Sequence, residues 1–175
     1  MEKNLPYDEI RRRFIESEDF NEIFDAVEEA IRQKIDDVEL YRLLFWNNSL
    51  SAEAIAMFGE KIASEFPSIA YDIYMWLASV FEVVYSKFDN YEGALKFYRK
   101  ASKIRPQEID PYLDAADCYD PDLNIPPAES LIEFLVEGLK YVRTPKPIYQ
   151  RLYALHKAIG NEEMARYYEQ KMKEV

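Results

Sequence analysis

The residues of this sequence that could bind a metal ion are concentrated in one proline-containing stretch. Asp120, Asp122 and Asn124 recur at every second position, which is the spacing of the first ligands in a calcium-binding loop. Such a loop also needs a glycine at its sixth position and a glutamate at its twelfth, but the residues there are Ile125 and Leu131. Asp and Asn side chains also hydrogen-bond the backbone of turns. We therefore interpret the stretch as a turn and expect no metal site.

The residues that could support catalysis are few. His156 is the single histidine and Cys118 the single cysteine, so no ordinary zinc ligand set can be assembled. No nucleophile or carboxylate partner is evident near His156, and we expect both residues to pack inside the protein. The four glycines are scattered, which excludes a glycine-rich phosphate loop. We expect a non-catalytic protein without a cofactor. A small all-α enzyme stays an alternative, because folding can bring together carboxylates that are distant in the sequence.

Composition limits the class of protein and of partner. The chain has 175 residues, of which 49% are hydrophobic and 15% aromatic, which is enough for a packed core. Its net charge of −11 disfavours nucleic-acid binding. The basic run Arg11–Arg13 is flanked by Glu9 and Glu16, which favours an exposed helix face. The sequence has no apolar N-terminal run and no membrane-length apolar segment, so we expect a cytoplasmic protein without a membrane partner.

The stretch from Met75 to Pro106 has the clearest helical pattern. It predicts an apolar helix, a turn and a second helix that ends before Pro106. Asp89 and Glu92 have the spacing of a capping box at the start of the second helix. The apolar and small residues of that helix recur at three- and four-residue steps and share one face: Tyr91, Ala94, Leu95, Tyr98 and Ala101.

This hairpin resembles a tetratricopeptide repeat (TPR), a helix-turn-helix of about 34 residues. Phe81 stands where the motif has Leu, and Tyr85 stands where it has Tyr. Ala94 and Tyr98 correspond to the Ala-x3-Phe pair of the second helix, and Pro106 closes the unit. The resemblance covers about residues 75–175, and more weakly 37–66.

Two positions depart from the TPR pattern. Ala78 replaces the large aromatic residue, and Glu82 replaces the glycine at which the paired helices usually touch. We expect either a splayed hairpin or a degenerate repeat at this place. The division of the single domain that the resemblance implies is N-terminal helices or a cap (1–36), a degenerate repeat (37–67), a central repeat (68–108), a further repeat (109–145) and a C-terminal repeat or cap (146–175).

The resemblance implies an all-α fold, a right-handed superhelical stack of antiparallel helix hairpins of the TPR-like α-solenoid type. In such arrays the first helices of the repeats line a concave groove that binds a peptide or a partner helix. The groove positions of the family fall here on Trp76, Ser79, Val80 and Val83, then on Asp110, Leu113, Asp114 and Asp117, and last on Gln150, Arg151 and Ala154.

The groove residues predict the chemistry of the partner. Asp110, Asp114 and Asp117 have helical spacing, so their carboxylates should share one face beside the apolar residues of the central repeat. This pattern favours a protein or peptide with basic residues beside an apolar anchor. A solvated acidic face over buried valines is the alternative.

A second hypothesis is a self-associating scaffold. The ends of helical stacks need covering. The groove, or the last helix with Tyr167, Tyr168 and Met172, could form a homodimer.

Overall fold

The computed structural model describes residues 4–85 and 91–175, and the described residues form ten α-helices without a β-strand. The predicted all-α class is confirmed. In chain order the helices are α1 (Tyr7–Glu16), α2 (Phe20–Arg32), α3 (Val38–Phe45), α4 (Ala52–Glu65), α5 (Ala70–Val83), α6 (Tyr91–Ile104), α7 (Asp110–Asp117), α8 (Ala128–Gly138), α9 (Lys146–Ala158) and α10 (Glu162–Glu174).

Side-chain caps fix several helix starts. At α2, the Asp19 carboxylate accepts hydrogen bonds from the backbone N–H groups of Asn21, at 2.7 Å, and Glu22, at 3.4 Å. The Glu22 side chain accepts a bond from the Ser17 hydroxyl at 2.8 Å, and Ser17 Oγ accepts one from the Asp19 N–H. The start of α2 is therefore a capping box that closes through Ser17. The capping box expected at Asp89 lies outside the described residues.

The apolar helix α5 packs against three neighbours, α3, α4 and α6. It begins at Ala70, five residues before the start of the TPR-like stretch. A helix that is apolar on most of its surface needs cover on several sides, which explains this environment. Its buried side chains are Ala70, Tyr71, Ile73, Leu77, Ala78, Val80 and Phe81.

The pair α5 and α6 stays closely packed although Glu82 replaces the expected glycine. The close approach is provided by Gly93 on the second helix, where an added Cβ would overlap the ring of Phe81. Ala94 is completely buried beside it. Glu82 is half-buried, and its Oε2 accepts a hydrogen bond of 3.0 Å from the Tyr98 hydroxyl. The small residue at the helix contact is thus on α6 and not on α5, and the described part of the hairpin is not splayed at Glu82.

Packing follows the order of the chain. From α3 onward each helix packs against the next, and α1 packs against α2. Contacts also link alternate helices: α1 with α3, α3 with α5, α7 with α9, and α2 with α4. The pair α7 and α9 contains most of the candidate site, and α6 packs against both α5 and α7.

Among the helices in the described ranges, none is both long and apolar enough to cross a membrane. The expected cytoplasmic location stays a prediction.

Candidate functional site

Helix α7 carries four of the expected site residues. It begins at Asp110, with Ile109 as its N-cap and Pro111 in the first turn. Asp110 therefore lies inside the helix and is not its N-cap. Tyr112 and Ala115 are buried on the opposite side and hold the helix to the core. Asp110, Asp114 and Asp117 remain exposed, and Leu113 is half-buried.

Asp114 lies among other carboxylates. Partial burial raises its pKa most, and the negative charge of Asp110 raises it further. Glu82 on α5 and Asp117 on α7 act in the same direction, while Arg151 on α9 lowers it. The resulting pKa of Asp114 is about 6. The folded chain therefore brings together carboxylates from two helices, with a positive charge that only partly balances them.

Arg151 links α9 to this cluster through a two-pronged ion pair. Its Nε donates to Asp117 Oδ1 at 3.0 Å, and its Nη2 donates to Asp117 Oδ2 at 2.9 Å. This bidentate geometry fixes the guanidinium plane and joins α7 to α9 across the surface. Within the described residues Asp114 has no such ion pair, and Arg151 acts on it through its charge alone.

A cleft of about 450 Å³ lies where α7 meets α9. It contains three of the expected site residues, Asp117, Gln150 and Arg151. Ala154, also expected in the groove, lines it as well. Tyr119 adds an aromatic wall, and the small side chains of α9 keep the floor open. The cleft can accept a side chain that is partly apolar and carries a polar end.

The expected site residues of the central repeat differ in how far they are exposed. Val83 is 65% exposed at the end of α5, next to Glu82. Trp76 is half-buried, with the guanidinium of Arg42 over its ring at 5.4 Å, and Ser79 is half-buried as well. Val80, however, has no exposed surface. Its expected place in a groove is wrong, because α5 is rotated so that Val80 packs in the core.

The single histidine and cysteine are packing residues in this fold. His156 is 6% exposed and stacks on Tyr168, with ring centroids 5.6 Å apart. Neither ring nitrogen has a hydrogen-bond partner in the described structure, and burial lowers the pKa of His156. Cys118 is buried, and its thiol donates to the Asp114 carbonyl at 3.3 Å. Burial and, after it, the nearby carboxylate of Glu82 raise the pKa of this thiol, which makes it a poor nucleophile.

The Asp- and Asn-containing stretch forms a turn. Asp120 Oδ1 accepts bonds from the backbone N–H groups of Asp122, at 2.9 Å, and Leu123, at 3.2 Å. Asn124 Oδ1 accepts a bond from the N–H of Ala128 at 3.1 Å. These oxygens organise the backbone. No group of three or more potential metal ligands occurs in residues 4–85 and 91–175.

Sequence reasoning missed two features. Glu82 belongs to the acidic cluster, and the signal was a charged residue at the position that the TPR resemblance assigns to glycine. The second feature is an exposed apolar pair, Ile15 at 43% and Trp46 at 38%, which line one cleft where α1 and α3 end. Beneath it, the amide of Asn47 donates to the carbonyls of Phe14 and Ser17, both at 3.0 Å, and so fixes the turn that carries Trp46.

The apolar surface expected on α10 is smaller than the sequence suggests. Tyr168 is buried at 6% exposure, whereas Tyr167 is 49% exposed with Lys171 over its ring at 5.7 Å. Met172 is half-buried.

No protein-family model matches the chain, and no curated protein matches its sequence.

Proposed function

We propose that this protein is a non-catalytic protein-interaction module whose acidic face binds a peptide segment or helix of a partner protein. The acidic face is defined by Glu82, Asp110, Asp114 and Asp117. We also propose that the helix pairs form a right-handed, TPR-like superhelical stack with the odd-numbered helices on the concave side. The contacts α1 with α3, α3 with α5, and α7 with α9 support this arrangement.

The cluster of carboxylates around Asp114 carries the proposal. Burial is the largest cause of the raised pKa of Asp114, and the negative charges of Asp110, Glu82 and Asp117 raise it further, so one more negative charge is disfavoured at that place. A Lys or Arg side chain of a partner would relieve this repulsion, so binding energy is gained from a charge that the free protein does not balance. Asp117 already pairs with Arg151 and contributes less to such binding.

An apolar anchor lies beside the acidic face. Val83 exposes 65% of its surface and follows Glu82 directly on α5. Leu113 of α7 is half-buried. We therefore expect a partner segment with an aliphatic residue near a basic one. We propose neither nucleic acid nor membrane as a partner, since the acidic face repels phosphate groups.

Selection from a random peptide library tests this proposal. We expect the full chain to enrich peptides with basic and aliphatic residues, with binding that weakens as salt rises. Asp114→Asn should weaken the binding of an enriched peptide about tenfold, which equals about 1.4 kcal/mol. Asp25→Asn, an exposed change on α2, is the matched control. Enrichment of peptides without basic residues, or equal binding by Asp114→Asn, would contradict the proposal.

Self-association stays the alternative expectation. The exposed Tyr167 on α10 is the observation in its favour. Light scattering over a range of concentrations decides it: a dimer that Tyr167→Ala dissociates would support the alternative, and a constant monomer mass would exclude it.

A further inference from the structure

A second charged surface lies on the even-numbered helices, and its sign is opposite to that of the acidic face. Helix α6 presents Lys96, Arg99, Lys100 and Lys103 along a cleft of about 440 Å³. The other wall is formed by the start of α8, including Pro127. This volume lies in the range of ~300–1,000 Å³ that is common for ligand clefts. We call it the α6 cleft.

The α6 cleft keeps a positive balance. Lys96 and Lys100 share one carboxylate, Glu60 of α4, and Glu92 is a further acid in the lining. Four basic groups therefore face two carboxylates. Burial raises the pKa of Glu60, yet the hydrogen bond and charge of Lys100, with a contribution from Lys96, lower it overall. The local potential is thus positive in a chain whose net charge is −11.

The basic run Arg11–Arg13 on α1 has no such excess of positive charge. Arg12 pairs with Glu9 at 2.7 Å and with Glu16 at 3.8 Å, and Arg13 pairs with Glu9 at 3.0 Å. Neutralisation within α1 leaves little positive potential for a partner there. The α6 cleft is therefore the stronger candidate for an anionic partner.

Packing holds one of the cations in place. Arg99 Nη2 donates to the carbonyl of Ser130 at 3.0 Å, and its guanidinium lies 5.1 Å from the centre of the Phe134 ring. A cation fixed by such contacts loses little conformational entropy when a partner binds. Lys103 is exposed and can move to meet a ligand. The cleft combines a preorganised cation with a flexible one.

We propose that the α6 cleft binds an acidic segment of a partner protein, with Arg99, Lys103 and Lys96 contacting its carboxylates and Pro127 contacting its backbone. Carboxylates fit better than a nucleic-acid chain. The cleft is small and isolated in a strongly negative molecule, so a long phosphate backbone that extended beyond it would be repelled. The inference concerns a surface separate from the acidic face and goes beyond the function proposed above.

Fluorescence anisotropy with the full chain tests the proposal. The probe is a short labelled peptide of alternating Glu and Ala. We expect binding at low salt that weakens as salt rises. Lys103→Glu and Lys96→Gln should each weaken it, together about tenfold or more. Lys140→Glu, an exposed change beyond the far end of α8, is the control. Asp114→Asn should leave it unchanged, which separates this result from a test of the acidic face.

Three results would overturn the inference. The first is no binding of the peptide at low salt, or equal binding by the Lys103→Glu protein. The second is tighter binding of a single-stranded RNA oligomer through the same lysines. The third is a concentration-dependent rise in mass that Lys103→Glu abolishes, which would make a second copy of this chain the occupant.

Discussion

Replacing Asp114 by asparagine should stabilise the free protein at neutral pH. The change keeps the shape of the side chain and removes its charge. Burial and the neighbouring carboxylates raise the pKa of Asp114 from its ordinary value of 3.8 to about 6, so the folded state disfavours the charged form. Asparagine imitates the neutral form that the folded state prefers.

The magnitude follows from linkage. A difference of one in pKa equals about 1.4 kcal/mol, so the full change would be worth about 3 kcal/mol for a buried group. Asp114 keeps more than a third of its surface exposed, although burial is the largest cause of the raised pKa. Solvent screens its interactions, and we expect a gain of about 1 kcal/mol at pH 7.5.

The pH dependence distinguishes this reasoning from a general effect of mutation. A carboxyl whose pKa is higher in the folded state destabilises the protein progressively as pH rises from 3.8 to about 6. The advantage of Asp114→Asn should therefore be complete at pH 7.5 and smaller at pH 5.

Urea denaturation at both pH values measures the change in the free energy of unfolding. In thermal denaturation, a gain of about 1 kcal/mol corresponds to a rise of about 2–4 °C in the melting temperature for a chain of this size. Asp25→Asn should change the free energy of unfolding by less than about 0.5 kcal/mol. A less stable Asp114→Asn protein, or a gain that is equal at both pH values, would refute the electrostatic account of the acidic face.

Three further changes test neighbouring parts of the structure. Arg151→Gln removes the cation that pairs with Asp117, and it should lower the free energy of unfolding by less than about 1 kcal/mol. Because the charge of Arg151 lowers the pKa of Asp114, the variant should also raise that pKa, and a carbon-13 NMR titration showing no rise would contradict this. His156→Phe replaces a buried imidazole without hydrogen-bond partners and should stabilise the fold by about 1 kcal/mol. Since burial lowers the pKa of His156, the wild type should lose stability as pH falls below 6.5 and the variant should lose less, which denaturation at pH 7.5 and 5.5 checks. Gly138→Ala should cost about 1–2 kcal/mol, because the new Cβ would lie 2.8 Å from the Tyr112 ring; a stability equal to wild type would show that the ring moves freely.

Local features of the fold were predictable from sequence because they depend on short spacings. The helix periodicity and the cap at Asp19 follow from residues within a few positions of one another. The same holds for the expectation that Asp110, Asp114 and Asp117 share a face, since all three lie on one short helix. Their mutual influence on the pKa of Asp114 agrees with that expectation.

Features that depend on packing between helices were not predictable. The burial of Val80 depends on the rotation of α5 about its axis, which α3, α4 and α6 determine together. The apolar run of α5 has no polar face that would fix this rotation in the sequence. Glu82 joins the acidic face from another helix, so no spacing along the chain connects it with Asp114. The close contact at Gly93 likewise shows that a small residue can serve a helix pair from either side.

The position of the unbalanced charges connects stability with function. The core is apolar and needs no carboxylate at Asp114, so the repulsion there does not contribute to folding. The α6 cations Lys96 and Lys100 pair with Glu60 of α4, and no cation of α6 is among the groups that shift the pKa of Asp114. Each surface therefore retains a potential that a partner of opposite sign can use. Because the two surfaces lie on different helices, one chain could hold a basic and an acidic segment at the same time. This arrangement requires that one molecule bind the two peptide classes and that each binding be weakened only by its own variant.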